Sequence, residues 1–133
     1  MFLLKKNIYL YRILHVKMVD KSIVKSFLQE LKQIIKVWGI FFSNRPKNSI
    51  QNLADLSITA KMREEIILNL EIEDYSEGPL EETQEGGTEM WIFGKTIKSQ
   101  QIYIKLTISK ITEQAICISF HKAEFPMEFP LKD

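Results

Sequence analysis

Only one cysteine, two histidines, five glycines and four prolines occur in this chain of 133 residues, and neither sign of charge dominates it. Each shortage removes a class of protein. One cysteine, Cys117, rules out an intramolecular disulfide, and an uncross-linked fold suits a reducing cytoplasm. Two histidines and one cysteine are too few for a zinc site of the His/Cys type. The acidic residues do not fall at calcium-loop spacing, so no metal is expected. No glycine-rich phosphate cradle is present, Gly86-Gly87 alone being a weak signal, and no cofactor is expected. Ser119 and His121 lie near each other without the G-x-S-x-G turn of a serine hydrolase.

Long apolar runs are missing too. None approaches the roughly 18 residues that cross a bilayer, so no membrane is expected. The opening MFLLKKNIYLYRILHVK is interrupted by Lys5, Lys6, Arg12 and His15 and lacks a small-residue cleavage site, so it does not read as a signal peptide. It carries four basic residues and no acidic one. From Met18 onward 14 basic groups face 17 acidic ones, a net charge near −3. Met18 precedes a good helix start, so residues 1–17 read as a disordered leader or as an extension from an upstream start codon. Charge by itself therefore gives no sign of nucleic-acid binding.

What is present reads as one domain over 1–133. Hydrophobic residues make up 45% and charged residues 26%, the balance of a chain that buries one core. Residues 20–38 carry an apolar stripe at helical spacing, Ile23, Val24, Phe27, Leu28, Leu31, Ile34, Ile35 and Trp38. Asp20 or Ser22 caps the start and Gly39 ends it. A turn at Pro46 leads to a short helix over 47–55, with Ile50, Leu53 and Leu56 apolar. A further helix starts at Thr59 and turns Met62, Ile66, Ile67 and Leu70 inward. Residues 71–89 hold eight acidic groups and no basic one, together with Gly78-Pro79 and Gly86-Gly87. They read as a solvated loop, with a mobile flap or a surface for a basic partner as the functional alternative.

The last third alternates in period two. Strands are predicted over 90–97, 101–109 and 115–121, joined by short connections that favour antiparallel pairing. The fold class is α+β, with three N-terminal helices packed on an antiparallel sheet of three or more strands spanning 90–121. The tail AEFPMEFPLKD, with Pro126 and Pro130, cannot continue a central strand.

Alternation also sorts the chemistry. Ile102, Ile104, Leu106 and Ile108 share one face of the second strand, and Tyr103, Lys105 and Thr107 the other. In the third strand Ile116, Ile118 and Phe120 form one face, and Cys117, Ser119 and His121 the other. If these strands are neighbours, Tyr103, Lys105, Thr107, Ser119 and His121 share a platform. A polar sheet face washed by solvent is the plain reading. The functional reading is that Tyr103, Lys105 and His121 are catalytic, in metal-free RNA cleavage. One group takes a proton from the 2′-hydroxyl, a cation steadies the phosphate and an acid protonates the leaving oxygen. His121 suits proton transfer, Lys105 the phosphate, and Tyr103 orientation or base stacking. Arg45, Lys47, Lys61 and Arg63 are candidates for further phosphate contacts.

These residues carry a resemblance. From about Lys47 to Phe120, LSITAKMREEIILNLEIEDY, MWIFGK, QQIYIKLTI and AICISFH follow one another in the order and spacing of the MqsR-type toxins of bacterial type II toxin–antitoxin systems. The resemblance implies a small fold of the RelE ribonuclease group, an endoribonuclease (mRNA interferase) that cleaves messenger RNA without a metal, and a partner antitoxin protein that silences it. The family's tyrosine falls on Tyr103, the lysine two residues on falls on Lys105, and the basic residue after Ser-Phe becomes His121. Two positions depart: a family lysine falls near the acid Glu77, and a glutamine falls on Ile92. The alternative is a non-catalytic protein-interaction module on the same fold.

Overall fold

The computed structural model describes residues 19–81 and 89–133. The expectations for 1–17, and the 82–88 part of the acidic stretch, lie outside the described residues. Among them, two α-helices and three 3₁₀ turns precede or lead into a five-stranded sheet. Helix α1 runs Lys21–Trp38 and α2 runs Ala60–Leu68. The strands are β1 Phe41–Phe42, β2 Tyr75–Glu81, β3 Glu89–Ile97, β4 Gln100–Ile108 and β5 Ala115–Lys122. Their spatial order is β1-β5-β4-β3-β2, antiparallel throughout except for β1, which runs parallel to β5. This is the expected α+β class, with a mixed sheet.

Helix α1 begins where Asp20 accepts a hydrogen bond from the Ile23 amide at 3.1 Å. It ends at Gly39, whose φ of 77° lies in the region that glycine tolerates best. Val24, Phe27, Leu28, Leu31 and Ile35 are buried. Phe27 stacks on Trp91 with ring centroids 5.0 Å apart and on Phe93 at 6.2 Å. The two ends of the predicted stripe do not join them, Ile23 and Trp38 being 46% and 83% exposed. Thr59 caps α2 through the Met62 amide. Ile67 and Leu70 are fully buried behind it, while Met62 is exposed.

Two expectations need correction. The predicted helix over 47–55 is a 3₁₀ turn at Pro46–Asn48 followed by another over Ile50–Leu56. Ile50, Leu53 and Leu56 are three residues apart, a period that stacks on one face of a 3₁₀ turn rather than an α-helix. The predicted loop over 71–89 contains strand β2, introduced by a 3₁₀ turn at Ile72–Asp74. An edge strand needs only one neighbour and tolerates charge along its free side, so its composition resembles a loop.

Hairpin β3–β4 closes through Lys98 and Ser99, both at positive φ, as a tight two-residue turn requires. Trp91, Phe93, Ile102, Ile104 and Leu106 project to the helix side and join the core. Strict alternation fails once in β5. Lys105 faces Ser119 but Leu106 faces Cys117, so Ile118 is an extra residue in a bulge. The bulge exchanges the faces beyond it, and Cys117 enters the helix-side core where the sequence pattern placed it opposite. Burial raises the thiol pKa, against the weaker pull of Arg63.

Asn48 secures this irregularity. Its side-chain amide donates to the carbonyls of Ser43 and Ile118 at 2.9 Å each, and its oxygen accepts from the Phe120 amide at 2.9 Å. These bonds satisfy the edge of β5 where β1 has ended.

Candidate active site

The sheet face away from the helices carries the candidate chemistry. Glu77 of β2, Ile92 of β3, Lys105 of β4 and Ser119 of β5 are successive cross-strand partners and form one row. Gly94, Tyr103 and His121 form the next row. Paired residues project to the same side of a sheet, so the rows lie side by side on one surface. All of them but Gly94 floor a cleft of about 1140 Å³.

The Tyr103 and His121 rings stack at 5.1 Å between centroids with 13° between planes. Lys105 Nζ lies 5.8 Å from the Tyr103 ring centroid, within cation–π range. His121 Nδ1 is 2.8 Å from the Lys122 carbonyl oxygen. A carbonyl only accepts, so Nδ1 carries the hydrogen and Nε2 is the nitrogen left for proton exchange. Burial pushes the Tyr103 phenol above its ordinary pKa, and the charge of Glu77 adds to the effect. The hydroxyl is a donor at neutral pH, and both effects reinforce that state.

Glu77 sits where β2 is irregular, with register shifts on both sides of it. Tyr75 donates its hydroxyl proton to the Gly78 carbonyl across this bend. Burial and the nearby Glu77 push the Tyr75 phenol up to about 12. Gly78 has φ of 119°, and a Cβ there would lie 2.7 Å from the Met90 carbonyl oxygen. Only glycine fits that close approach.

The walls come from two segments. Arg45, Pro46, Lys47 and Asn48 form one side, and the tail from Ala123 to Pro130 forms much of the other. The tail crosses the sheet because it is tied at several points. The Ala123 amide donates to the Gln101 carbonyl at 2.9 Å, the Met127 amide to Gln101 Oε1 at 2.9 Å, and Ser76 Oγ to the Glu128 carbonyl at 2.7 Å. Gly94 makes room for it, since a Cβ there would lie 2.8 Å from Met127 Sδ and 2.9 Å from Phe129 Cζ. Lys47 pairs with Glu124 of the tail. That hydrogen bond and charge hold the Glu124 carboxyl below its ordinary pKa, with a smaller contribution from His121.

Of the residues singled out in the sequence, Tyr103, Lys105, His121, Arg45 and Lys47 all line this cleft. Lys61 and Arg63 lie on α2 and do not line it. Arg63 instead sits over the Phe42 ring, 3.9 Å from its centroid. Thr107, grouped with the platform by alternation, is fully buried and donates to the Glu89 carbonyl at 2.7 Å. Glu77 and Ile92, where the resemblance departs from the family, line the cleft too, while the tail was missed as a part of the site. The prolines of the tail marked it as non-strand, but nothing local in the sequence shows that it returns over the sheet.

Among the described residues, no three His, Cys, Asp or Glu side chains gather as a metal ion would need. None of their helices is long and apolar enough to cross a membrane. No protein-family model matches the chain, and no curated protein or solved structure matches it significantly.

Proposed function

We propose that this cleft cleaves RNA without a metal, as the ribonuclease toxin of a toxin–antitoxin pair of the MqsR type. One observation carries the reading: Tyr103, Lys105 and His121 share a cleft with Arg45 and Lys47. Cleavage by attack of a ribose 2′-oxygen needs a proton acceptor, a cation beside the phosphate and a proton donor. His121 exchanges a proton through Nε2, Lys105 steadies the phosphate charge, and Tyr103 donates its hydroxyl to a phosphate oxygen. Arg45 and Lys47 hold the flanking backbone. The substrate is messenger RNA in the cytoplasm, and an antitoxin protein restrains the activity.

The test is incubation of the purified protein with total RNA, with and without EDTA, beside His121→Ala. Cleavage should survive EDTA and fall by roughly 10²–10⁴-fold in the variant, whose circular dichroism should match the parent. Undiminished cleavage by the folded variant would remove His121 from the mechanism.

A second reading has one observation of its own. Among the described residues, Glu77, Glu124 and Glu128 equal Arg45, Lys47 and Lys105 in number around the cleft, while Phe125, Pro126, Met127 and Pro130 add an apolar wall. A cleft without net positive charge attracts RNA weakly and suits a peptide. On this reading the chain is a non-catalytic interaction module, and intact RNA in the incubation above would favour it.

A further inference from the structure

Resting on the ribonuclease reading, we propose that Glu77 is the general base of the cleft, working opposite His121 as the acid. Among the described residues, three carboxylates line the cleft, those of Glu77, Glu124 and Glu128. Glu124 and Glu128 belong to the tail. Glu77 alone is carried by the sheet, on the same platform as Lys105, Tyr103 and His121.

Its position in the row fits the task. Glu77 and Lys105 are both cross-strand partners of Ile92, one from each side. With strands ~4.8 Å apart, their backbones are separated by ~10 Å. The buried Ile92 side chain between them gives that interval an apolar floor. His121 lies in the neighbouring row, on the far side of Tyr103 from Glu77. A phosphodiester over the Lys105–Tyr103 pair therefore has a carboxylate on one flank and an imidazole on the other. An in-line displacement at phosphorus needs a base and an acid on opposite flanks, and this order of strands supplies them.

The register shifts around Glu77 give it a further mark of a built site. Bulges re-aim side chains at sheet edges and beside active sites, and β2 is an edge strand. The Tyr75 hydroxyl fixes the following bend from within the core. Burial is the main cause that raises the Tyr75 and Tyr103 phenols, and the charge of Glu77 adds to it at both.

The step balances. The Glu77 carboxylate takes the proton of the ribose 2′-hydroxyl as the 2′-oxygen forms its bond to phosphorus. The bond from phosphorus to the 5′-oxygen breaks, and that oxygen leaves with a proton given by protonated His121. The products are a 2′,3′-cyclic phosphate and a 5′-hydroxyl, with one proton gained by Glu77 and one lost by His121. A position where the family resemblance expected a lysine thus carries the base.

The experiment compares parent, Glu77→Gln and His121→Ala on one oligoribonucleotide across pH, with binding measured on its uncleavable 2′-deoxy analogue. Glu77→Gln should bind the analogue at least as tightly as the parent, since a negative charge is removed. It should cleave roughly 10²–10⁴-fold more slowly, and the fall in rate toward acid pH should disappear. If the parent cleaves and His121→Ala does not, while Glu77→Gln keeps its rate or its acid limb, the base assignment is overturned and the ribonuclease reading stands. If the parent leaves RNA intact, both are overturned.

Discussion

The two faces of the sheet are built from neighbouring residues of the same strands, yet they obey different rules. On the helix side Phe93, Ile104 and Leu106 are fully buried, and Phe93 packs against the rings of Phe27 and Tyr75. On the cleft side Tyr103 and Lys105 are half-buried and polar. The first face contributes burial of apolar area, at roughly 25 cal/mol per Å². The second contributes little to stability and presents groups that can donate, accept or carry charge. Function is affordable on the cleft face because the helix face already holds the strands in place.

Substitutions can test how separate the faces are. The largest effect is expected for Phe93→Ala, which should cost about 3–5 kcal/mol in a urea unfolding curve by leaving a cavity among aromatic rings. Its counterpart Lys105→Ala should change stability by less than about 1 kcal/mol and, on the ribonuclease reading proposed above, slow RNA cleavage by about 10²–10³-fold. Equal stability losses for the two would show that the faces do not divide the labour. Next comes Asn48→Ala, which strips partners from the Ser43 and Ile118 carbonyls and the Phe120 amide. A loss of about 2–3 kcal/mol is expected from these buried groups, with hydrogen exchange at Phe120 accelerating first. Protection unchanged at Phe120 would mean that Asn48 does not hold the bulge. The smallest effect is expected for Gly94→Ala, about 1 kcal/mol, because Met127 and the tip of Phe129 can shift aside. Limited proteolysis should cut its tail faster than the parent's, and an unchanged rate would argue against Gly94 seating the tail.

The same contrast explains which parts of the molecule were legible from sequence. Helix α1 and strands β3, β4 and β5 have one wet and one dry side, and their periods state it. Tyr103, Lys105 and His121 could be grouped because alternation brings them to one face. Strand β2 was hidden: as an edge strand it keeps Glu77 and Glu81, and Gly78-Pro79 reads as a turn. The bulge at Ile118 was hidden as well, because an added residue leaves no mark in an all-apolar stretch such as Ala115–Ile118. Alternation applied across it put Cys117 on the wrong face and hid the change of environment between Lys105 and Thr107. The tail's course depends on Gln101, Ser76 and Gly94, none adjacent to it in sequence.

The path of the tail also has a consequence for the order of events during synthesis. A ribosome makes roughly 5–20 residues each second from the N-terminus, so the strands emerge before the segment from Ala123 to Pro130. Neither the pairing of the sheet nor its core draws on that segment, which supplies only a wall of the cleft. Completion of the wall then comes last, as a local docking onto an assembled surface rather than a search by an unfolded chain. A chain truncated after Lys122 and released from the ribosome would hold Tyr103, Lys105 and His121 in register without the enclosure around them. Folding competence and a finished cleft are therefore reached at different chain lengths.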